Sequence, residues 1–455
     1  MSQIKDFIGH SARANIEAAI AKAHENENFH ALLSFTDERA LERADAVDRG
    51  EITGKLAGVP FIAKDNFLTL GGTTTAASTI LEHFNAPLQA TAIEKLEAEG
   101  AILIGKANLD AFAHGGSTEN SAFGPTKNAI DQERVAGGSS GGSAVVVALD
   151  IVPFALGTDT GGSIRQPASF NGVVGVKPTY GAVSRYGVVA MASSTDTIGV
   201  LSSSVEDAEL IMSIMSGRDP KDMTTLPDFF TPSSDDKSLR IGVIKESMTD
   251  AVDGDVLSVV NHYIEDLKSA GHIVEEVSLP LLKYALGIYY IVVPAEISSN
   301  LGRYDGIRYG KRADSETLSE LYGKSRDQGF MTENKRRIMI GSYVLSSGFF
   351  DAYYLQAQKA RTLLINDFNA LFDRYDVLIS PTAPTPAFKL GENTSDPVKM
   401  YLADVMTVPP SLAGLPAVSI PAGKSESGLP IGVQLIGQRR SDARLLALAK
   451  QMETN

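Results

Sequence analysis

The chain has 455 residues, of which 43% are hydrophobic and 21% are charged, values typical of a globular protein that can bury a substantial core. It contains no cysteine, which excludes a catalytic thiol, a disulfide framework and thiolate metal sites. The formal net charge of −14 disfavours direct nucleic-acid binding across a broad face, because an acidic surface repels phosphates.

Neither the N-terminus nor the apolar stretches of the chain predict a membrane segment. Residues 1–25 mix charged and apolar side chains without the uninterrupted apolar core of a signal peptide, and they predict a helical start. The stretches 144–157 and 288–297 are either interrupted by Asp150 and Pro153 or too short to span a bilayer. We therefore expect a soluble, cytoplasmic protein.

Short apolar runs alternate with helical patterns along the chain. Residues 89–100 have helical spacing and lead into the apolar run 102–104. Similar strand-like runs lie at residues 59–63, 145–148, 152–156, 241–243, 377–380, 418–420 and 431–436. This alternation predicts α/β layers around a largely buried sheet. The acidic stretch 219–237 is the best candidate for a surface connection, and residues from about 240 to 375 are predicted to form a mostly helical inserted layer within one large domain.

Glycine and serine are concentrated between Gly115 and Gly175. Glycine lets peptide N–H groups approach a ligand, as an oxyanion hole or a phosphate site requires. A flexible linker is disfavoured, because the apolar run 144–149 and a second Gly/Ser turn at 161–163 follow the first turn directly. A phosphate-binding P-loop is rejected, because Leu318 stands where its first glycine is required.

A serine nucleophile is the third interpretation of these turns. Residues 137–141, GGSSG, formally fit the G-x-S-x-G elbow of α/β-hydrolases, which needs a histidine base later in the chain. The last histidine is His272, so the base must be another residue. Lys64 directly follows the apolar run 59–63 and could accept a proton if burial lowers its pKa. From the local sequence alone, an ordinary surface lysine at a strand end is the better interpretation.

Three separated motifs resemble those of the amidase-signature family. They are KDN at residues 64–66, GGSSGGS at 137–143 and GTDTGGSIR at 157–165. The resemblance implies an α/β fold: a single large α/β/α domain over residues 1–455, with a mixed central sheet covered by helices. It also implies a Ser-Ser-Lys catalytic triad, in which Ser163 is the nucleophile and Ser139, on a cis peptide, forms the proton relay with Lys64.

The same resemblance assigns roles to the residues around the nucleophile. The backbone N–H groups of Thr160, Gly161 and Gly162, together with that of Ser163, would form the oxyanion hole. Asp159 and Arg165, which flank this turn, are expected to hold the loop rather than to react.

Segments outside the general signature extend the resemblance over nearly the whole chain. Residues 183–199 and 294–310 resemble the A subunits of glutamyl-tRNA(Gln)/aspartyl-tRNA(Asn) amidotransferases. Such a protein hydrolyses glutamine to glutamate and ammonia, and works in a complex with subunits B and C. The ammonia passes to a partner that binds most of the tRNA and uses ATP and Mg²⁺, so no cofactor or metal is expected in this chain. The alternative is a free-standing amidase that acts on small or aryl amides.

Glutamine is a zwitterion, so its pocket needs a cation for the α-carboxylate and an anion for the α-ammonium group. The family's pocket residues fall on Arg337 and Asp404, although the adjacent Arg336 fits the sequence pattern too. A surface salt bridge is the alternative role for each. The backbone of Gly115, Gly116 and Ser117 is also expected to line this pocket.

Overall fold

A computed structural model describes residues 1–227, 230–231 and 238–453. Its strands form one eleven-stranded sheet in the order β1-β3-β2-β4-β6-β5-β10-β11-β9-β7-β8. The strands are β1 (Leu32–Phe35), β2 (Pro60–Lys64), β3 (Ile102–Ala107), β4 (Phe154–Asp159), β5 (Val174–Lys177), β6 (Thr197–Ser202), β7 (Arg240–Ile244), β8 (Ile273–Val277), β9 (Val377–Pro381), β10 (Ala417–Lys424) and β11 (Pro430–Ile436).

Parallel and antiparallel pairs alternate in blocks across this sheet. Strand β2 runs parallel to both β3 and β4, and β7 runs parallel to both β8 and β9. The six pairs that join and border these blocks are antiparallel. The sheet is therefore mixed, as predicted.

Helices cover both faces of the sheet. They are α1 (Ala12–Glu25), α2 (Asp37–Asp48), α3 (Thr91–Ala98), α4 (Gly141–Ala148), α5 (Arg165–Asn171), α6 (Val205–Met215), α7 (Gly254–Ser269), α8 (Ala285–Asn300), α9 (Leu318–Gly329), α10 (Thr332–Val344), α11 (Leu355–Phe372), α12 (Pro397–Leu402), α13 (Val408–Leu412) and α14 (Asp442–Met452). Alternate residues of one strand point to opposite layers. Phe61 of β2 packs in one apolar core with α3, α6, α7 and α14, whereas Ile62 packs in another with α1, α2 and α4. This single α/β/α domain confirms the predicted fold class.

The segment from 240 to 375 contains helices α7 to α11, and it also supplies strands β7 and β8 at one end of the sheet. Within this segment, the continuous helical stretch Pro280–Arg303 is long and apolar enough to cross a membrane. However, half of its most apolar 18 residues are buried inside the protein. A helix in the core of a globular fold has the same composition.

The prediction of a strand at residues 145–148 was wrong, because this run is the second half of α4. A short apolar run that is buried on every side carries no periodicity that separates a helix from a strand. The predicted surface connection at 219–237 lies partly outside the described residues, which omit 228–229 and 232–237.

Candidate active site

Lys64 and the second Gly/Ser turn come together because they follow neighbouring parallel strands. Lys64 is the last residue of β2, and residues 160–163 follow β4 directly. Parallel pairing of β2 with β4 brings both carboxyl ends to one edge of the sheet. The first Gly/Ser turn reaches the same edge, where the Gly138–Ser139 peptide bond is cis and α4 begins at Gly141.

The side chain of Lys64 is completely buried, and among the described residues its amine hydrogen-bonds only to neutral oxygen atoms. Its Nζ lies 2.7 Å from Ser139 Oγ, 2.9 Å from Ser140 Oγ and 2.9 Å from Thr158 Oγ1. The Ser140 hydroxyl donates its own proton to the Thr158 carbonyl at 3.2 Å. The Ser139 hydroxyl has no other partner among the described residues, so its proton is free to point at a neutral Lys64 amine.

Burial in this site changes the acid–base properties of Lys64. Loss of hydration disfavours the ammonium form and lowers the pKa of Lys64 to about 7, although the more distant carboxylates of Asp110 and Asp159 act in the opposite direction. A lysine with this pKa is substantially neutral at physiological pH, as a general base requires.

Ser163 lies at the end of the turn and keeps 8% of its surface exposed, whereas Ser139 is fully buried. The backbone carbonyl of Ser163 accepts a hydrogen bond from the Ser140 N–H at 3.1 Å, and this bond connects the two Gly/Ser turns. Both serines lie in the described part of the chain, and no hydrogen bond joins the Ser139 hydroxyl directly to the Ser163 hydroxyl.

The turn before Ser163 leaves a row of backbone donors open. The N–H groups of Thr160, Gly161, Gly162 and Ser163 donate to no other described residue. Gly162 has φ of +146°, and a Cβ on it would collide with Thr407, so only glycine fits there. The Thr407 hydroxyl donates to the Gly161 carbonyl at 2.7 Å, which connects the turn to the residue that precedes α13.

Asp159 and Arg165 form a fully buried ion pair beside this turn, with Arg165 Nη2 2.8 Å from Asp159 Oδ1. Asp159 also accepts from the Ile164 N–H, and Arg165 donates to Gln434 and Ser411 from distant segments. These contacts connect the turn to the sheet, in keeping with the role expected for both residues.

An open pocket of about 200 Å³ lies beside the first Gly/Ser turn, because the backbone nitrogen of Ser117, one of its lining residues, is 2.6 Å from where a Cβ on Gly138 would be. The predicted residues Gly115, Gly116, Ser117 and Arg337 line it. The side chain of Gln166 connects the pocket to the first turn, because its Oε1 accepts from the Gly138 N–H at 2.8 Å while its Nε2 donates to the Gly116 carbonyl at 2.7 Å.

The structure separates the two adjacent arginines of α10. Arg337 is 4% exposed, and its guanidinium carbon lies 5.4 and 5.7 Å from the ring centroids of Tyr290 and Tyr401, which stack on each other. By contrast, 40% of the Arg336 side chain is exposed at the rim. Glu333 accepts from Arg337 Nε at 2.8 Å and also pairs with Arg336. The two terminal nitrogens of Arg337 donate to none of the described residues, so they remain available to a ligand carboxylate.

Asp404 lies beside Gly116. Its carboxyl oxygens are 3.6 Å from the position that a Cβ on Gly116 would take. Burial raises the pKa of Asp404 to about 8, and the charge of Arg337 opposes this rise. A ligand ammonium group beside Asp404 would favour the ionised carboxylate.

Several residues of the site were missed from the sequence. Ser140 and Thr158 share the Lys64 amine, Tyr290 and Glu333 contact Arg337, and the Tyr289 hydroxyl lies 2.7 Å from where a Cβ on Gly161 would be. The tyrosine pair within the apolar first part of α8, residues 285–295, was the available signal for that helix. The described residues contain no group of three or more His, Cys, Asp or Glu side chains that could hold a metal ion.

Comparisons with known proteins place this geometry in a family. The sequence model of the family described as Amidase matches residues 14–446. The chain is 52% identical to the A subunit of the glutamyl-tRNA(Gln) amidotransferase from Thermosynechococcus vestitus and 52% identical to that from Carboxydothermus hydrogenoformans, in each case over 93% of this chain and 90% of the relative. The crystal structure of the corresponding Thermotoga maritima protein superposes with a TM-score of 0.84 at 39% identity, over 100% of this chain and 94% of that one. This chain therefore belongs to the amidase family.

Proposed function

We propose that this chain is the glutaminase component of a tRNA-dependent amidotransferase. It would hydrolyse glutamine to glutamate and ammonia, and the ammonia would pass to a partner in a cytoplasmic complex of A, B and C subunits. The observation that carries the proposal is a buried lysine bonded to Ser139, beside Ser163 and an open pocket that holds Arg337. The 52% identity to relatives named as A subunits supports the same assignment.

The reaction begins with a proton transfer along the Ser-Ser-Lys relay. Neutral Lys64 accepts the Ser139 proton as Ser139 accepts the proton of Ser163, and Ser163 Oγ attacks the side-chain amide carbon of glutamine. The bond that forms joins Oγ to that carbon, and the carbonyl π electrons move onto oxygen. The free N–H groups of residues 160–163 are the donors available to this oxyanion, and one such donor typically contributes about 3–4 kcal/mol.

Collapse of the tetrahedral intermediate releases ammonia and leaves a γ-glutamyl ester on Ser163. The leaving nitrogen takes the proton that Lys64 and Ser139 had received, so the relay returns to its starting state. Water then attacks the ester with the same relay as base, and glutamate departs. The chain's own residues therefore close the cycle without a bound cofactor, and we propose that ATP and Mg²⁺ act only on the partner.

Recognition of the amino-acid head separates this proposal from a free-standing amidase for small or aryl amides. The terminal nitrogens of Arg337 suit the α-carboxylate, and Asp404 suits the α-ammonium group. The net charge of −14 fits a division of labour in which the partner supplies the surface for tRNA.

The test uses the full chain purified with every protein that stays bound to it. Formation of Gln-tRNA(Gln) or Asn-tRNA(Asn) is measured with ATP and the misacylated tRNA, first with glutamine and then with ammonium chloride as the nitrogen source. We expect both sources to support amidation and glutamine hydrolysis to yield glutamate and ammonia in equal amounts. A preparation that hydrolyses simple amides but leaves glutamine intact would contradict the proposal and favour the free-standing amidase.

A further inference from the structure

His114 is a fully buried side chain that lines the amino-acid pocket next to Gly115. Its Nε2 atom has no hydrogen-bond partner among the described residues. Buried polar atoms in folded proteins are almost always paired, so an unpaired one in a residue that lines a pocket points to a missing ligand atom. The Ser-Ser-Lys relay makes no use of this residue.

Asn334 determines which nitrogen of His114 carries the proton. The Asn334 Oδ1 accepts from the Met331 N–H at 3.1 Å, and its Nδ2 donates to the Ala111 carbonyl at 2.8 Å. The amide orientation is thereby fixed, so the second Nδ2 proton points at His114 Nδ1, 2.7 Å away. Nδ1 must act as the acceptor, and the single ring proton lies on Nε2.

The unpaired atom is therefore the N–H donor of a neutral imidazole, and His114 lines the same pocket as the cationic Arg337. Burial, with a smaller contribution from the charge of Arg337, holds the pKa of His114 well below its usual range. The imidazole and the guanidinium are both donors, and the charge of Arg337 is near enough to act on His114. Two donors in one pocket fit a ligand group with several lone pairs and no proton, and a carboxylate is such a group.

We propose that the Nε2–H of His114 donates a hydrogen bond to the α-carboxylate of the bound amino acid, beside the ionic contact from Arg337. This inference rests on the proposed function, because it takes glutamine as the ligand. The contact makes His114 a specificity-determining residue. Its neutral Nε2–H donor is held in one orientation by Asn334, and it selects a planar carboxylate over other acceptors.

The test compares His114→Met with His114→Gln in the full chain and the proteins bound to it. Both variants lose the Asn334 contact, but only glutamine keeps an N–H donor near the position of Nε2. The substrates are L-glutamine, glutaramate, which keeps the carboxylate and lacks the ammonium group, and 4-aminobutanamide, which has the reverse pattern. We expect His114→Met to raise KM about ten- to a hundredfold for the two carboxylate substrates only, with kcat nearly constant, and His114→Gln to restore most of the loss.

Two patterns would overturn the inference while leaving the proposed function intact. One is an unchanged glutamine KM in His114→Met. The other is an equal loss on all three substrates or in both variants, which would mean that His114 only supports the loop. A wild-type preparation that does not hydrolyse glutamine would instead contradict the proposed function, and this inference with it.

A second measurement uses the wild-type protein, in case the variants fail to fold. Histidine labelled with ¹⁵N reports the tautomer and the hydrogen bond of each ring by NMR. We expect one buried ring to show an Nε2–H tautomer whose proton moves downfield when L-glutamate, the reaction product, saturates the site. Saturation with L-glutamate that moves no histidine Nε2–H resonance would contradict the contact.

Discussion

The reaction centre and the amino-acid pocket meet at Gly116, yet they are built in different ways. The reaction centre uses strand ends and glycine turns between Lys64 and Ser163, and its lysine and first serine are fully buried. The pocket combines the loop at residues 114–117 with side chains of α10 and the loop before α13, more than a hundred residues later in the chain. Backbone geometry thus positions the proposed relay, whereas the pocket side chains can change without moving it.

The largest expected effect belongs to Ser163→Ala, which removes the proposed nucleophile without disturbing the pocket. Glutamine hydrolysis should fall by roughly 10⁴–10⁶-fold, because no covalent intermediate can form. Amidation of tRNA driven by ammonium chloride should persist, since that reaction bypasses Ser163. Retention of a tenth of the glutaminase rate would show that Ser163 is not the nucleophile.

Replacement of the base has the next largest effect. Lys64→Ala should reduce kcat about 10²–10⁴-fold with little change in glutamine affinity, because the proton transfer is lost and the pocket is intact. Lys64→Arg is the matched control: it keeps a cation that cannot become neutral, and it should be equally inactive. An active arginine variant would mean that the charge of residue 64 matters and its basicity does not.

Asp404→Asn should affect recognition and leave the chemistry intact. Loss of the counter-charge to the α-ammonium group should raise KM for glutamine about ten- to a hundredfold, the range for a hydrogen bond to a charged group of about 1.5–3 kcal/mol. Hydrolysis of butanamide, which lacks the amino-acid head, is the comparison. Asp351→Asn, which neutralises an exposed carboxylate, is the control for the loss of one negative charge, and it should leave KM for glutamine unchanged. Equal losses on both substrates would assign Asp404 to the fold.

The smallest effect is a difference between two pH profiles. Neutral Lys64 is the proposed active form, so kcat/KM for butanamide should rise about tenfold per pH unit below the lysine pKa of about 7. Glutamine also needs ionised Asp404, whose pKa is about 8, so its kcat/KM should rise about a hundredfold per pH unit below pH 7 and about tenfold between pH 7 and 8. Butanamide should level off near pH 7. Identical profiles for the two substrates would contradict the separate roles of Lys64 and Asp404.

The sequence constrains the proposed reaction centre more tightly than the proposed pocket, and the reason is physical. A turn that needs glycine and serine at fixed spacing constrains residue types, so residues 137–143 and 157–165 could be recognised directly. Arg336 and Arg337 could not be separated, because helical phase depends on which face of α10 is buried. The run 145–148 was misread as a strand because it is apolar on every side. The His114–Asn334 contact joins residues 220 positions apart, a distance at which one sequence carries no pairing signal.

The most direct test of the mechanism is to capture the acyl-enzyme. The full chain, with the proteins bound to it, is mixed with glutamine, quenched in acid within the first turnover and digested for mass spectrometry. We predict a γ-glutamyl ester on the peptide that carries Ser163, and none in Ser163→Ala. A γ-glutamyl group on Ser139, or steady hydrolysis with no modified peptide at any quench time, would contradict the assignment of Ser163 as the nucleophile.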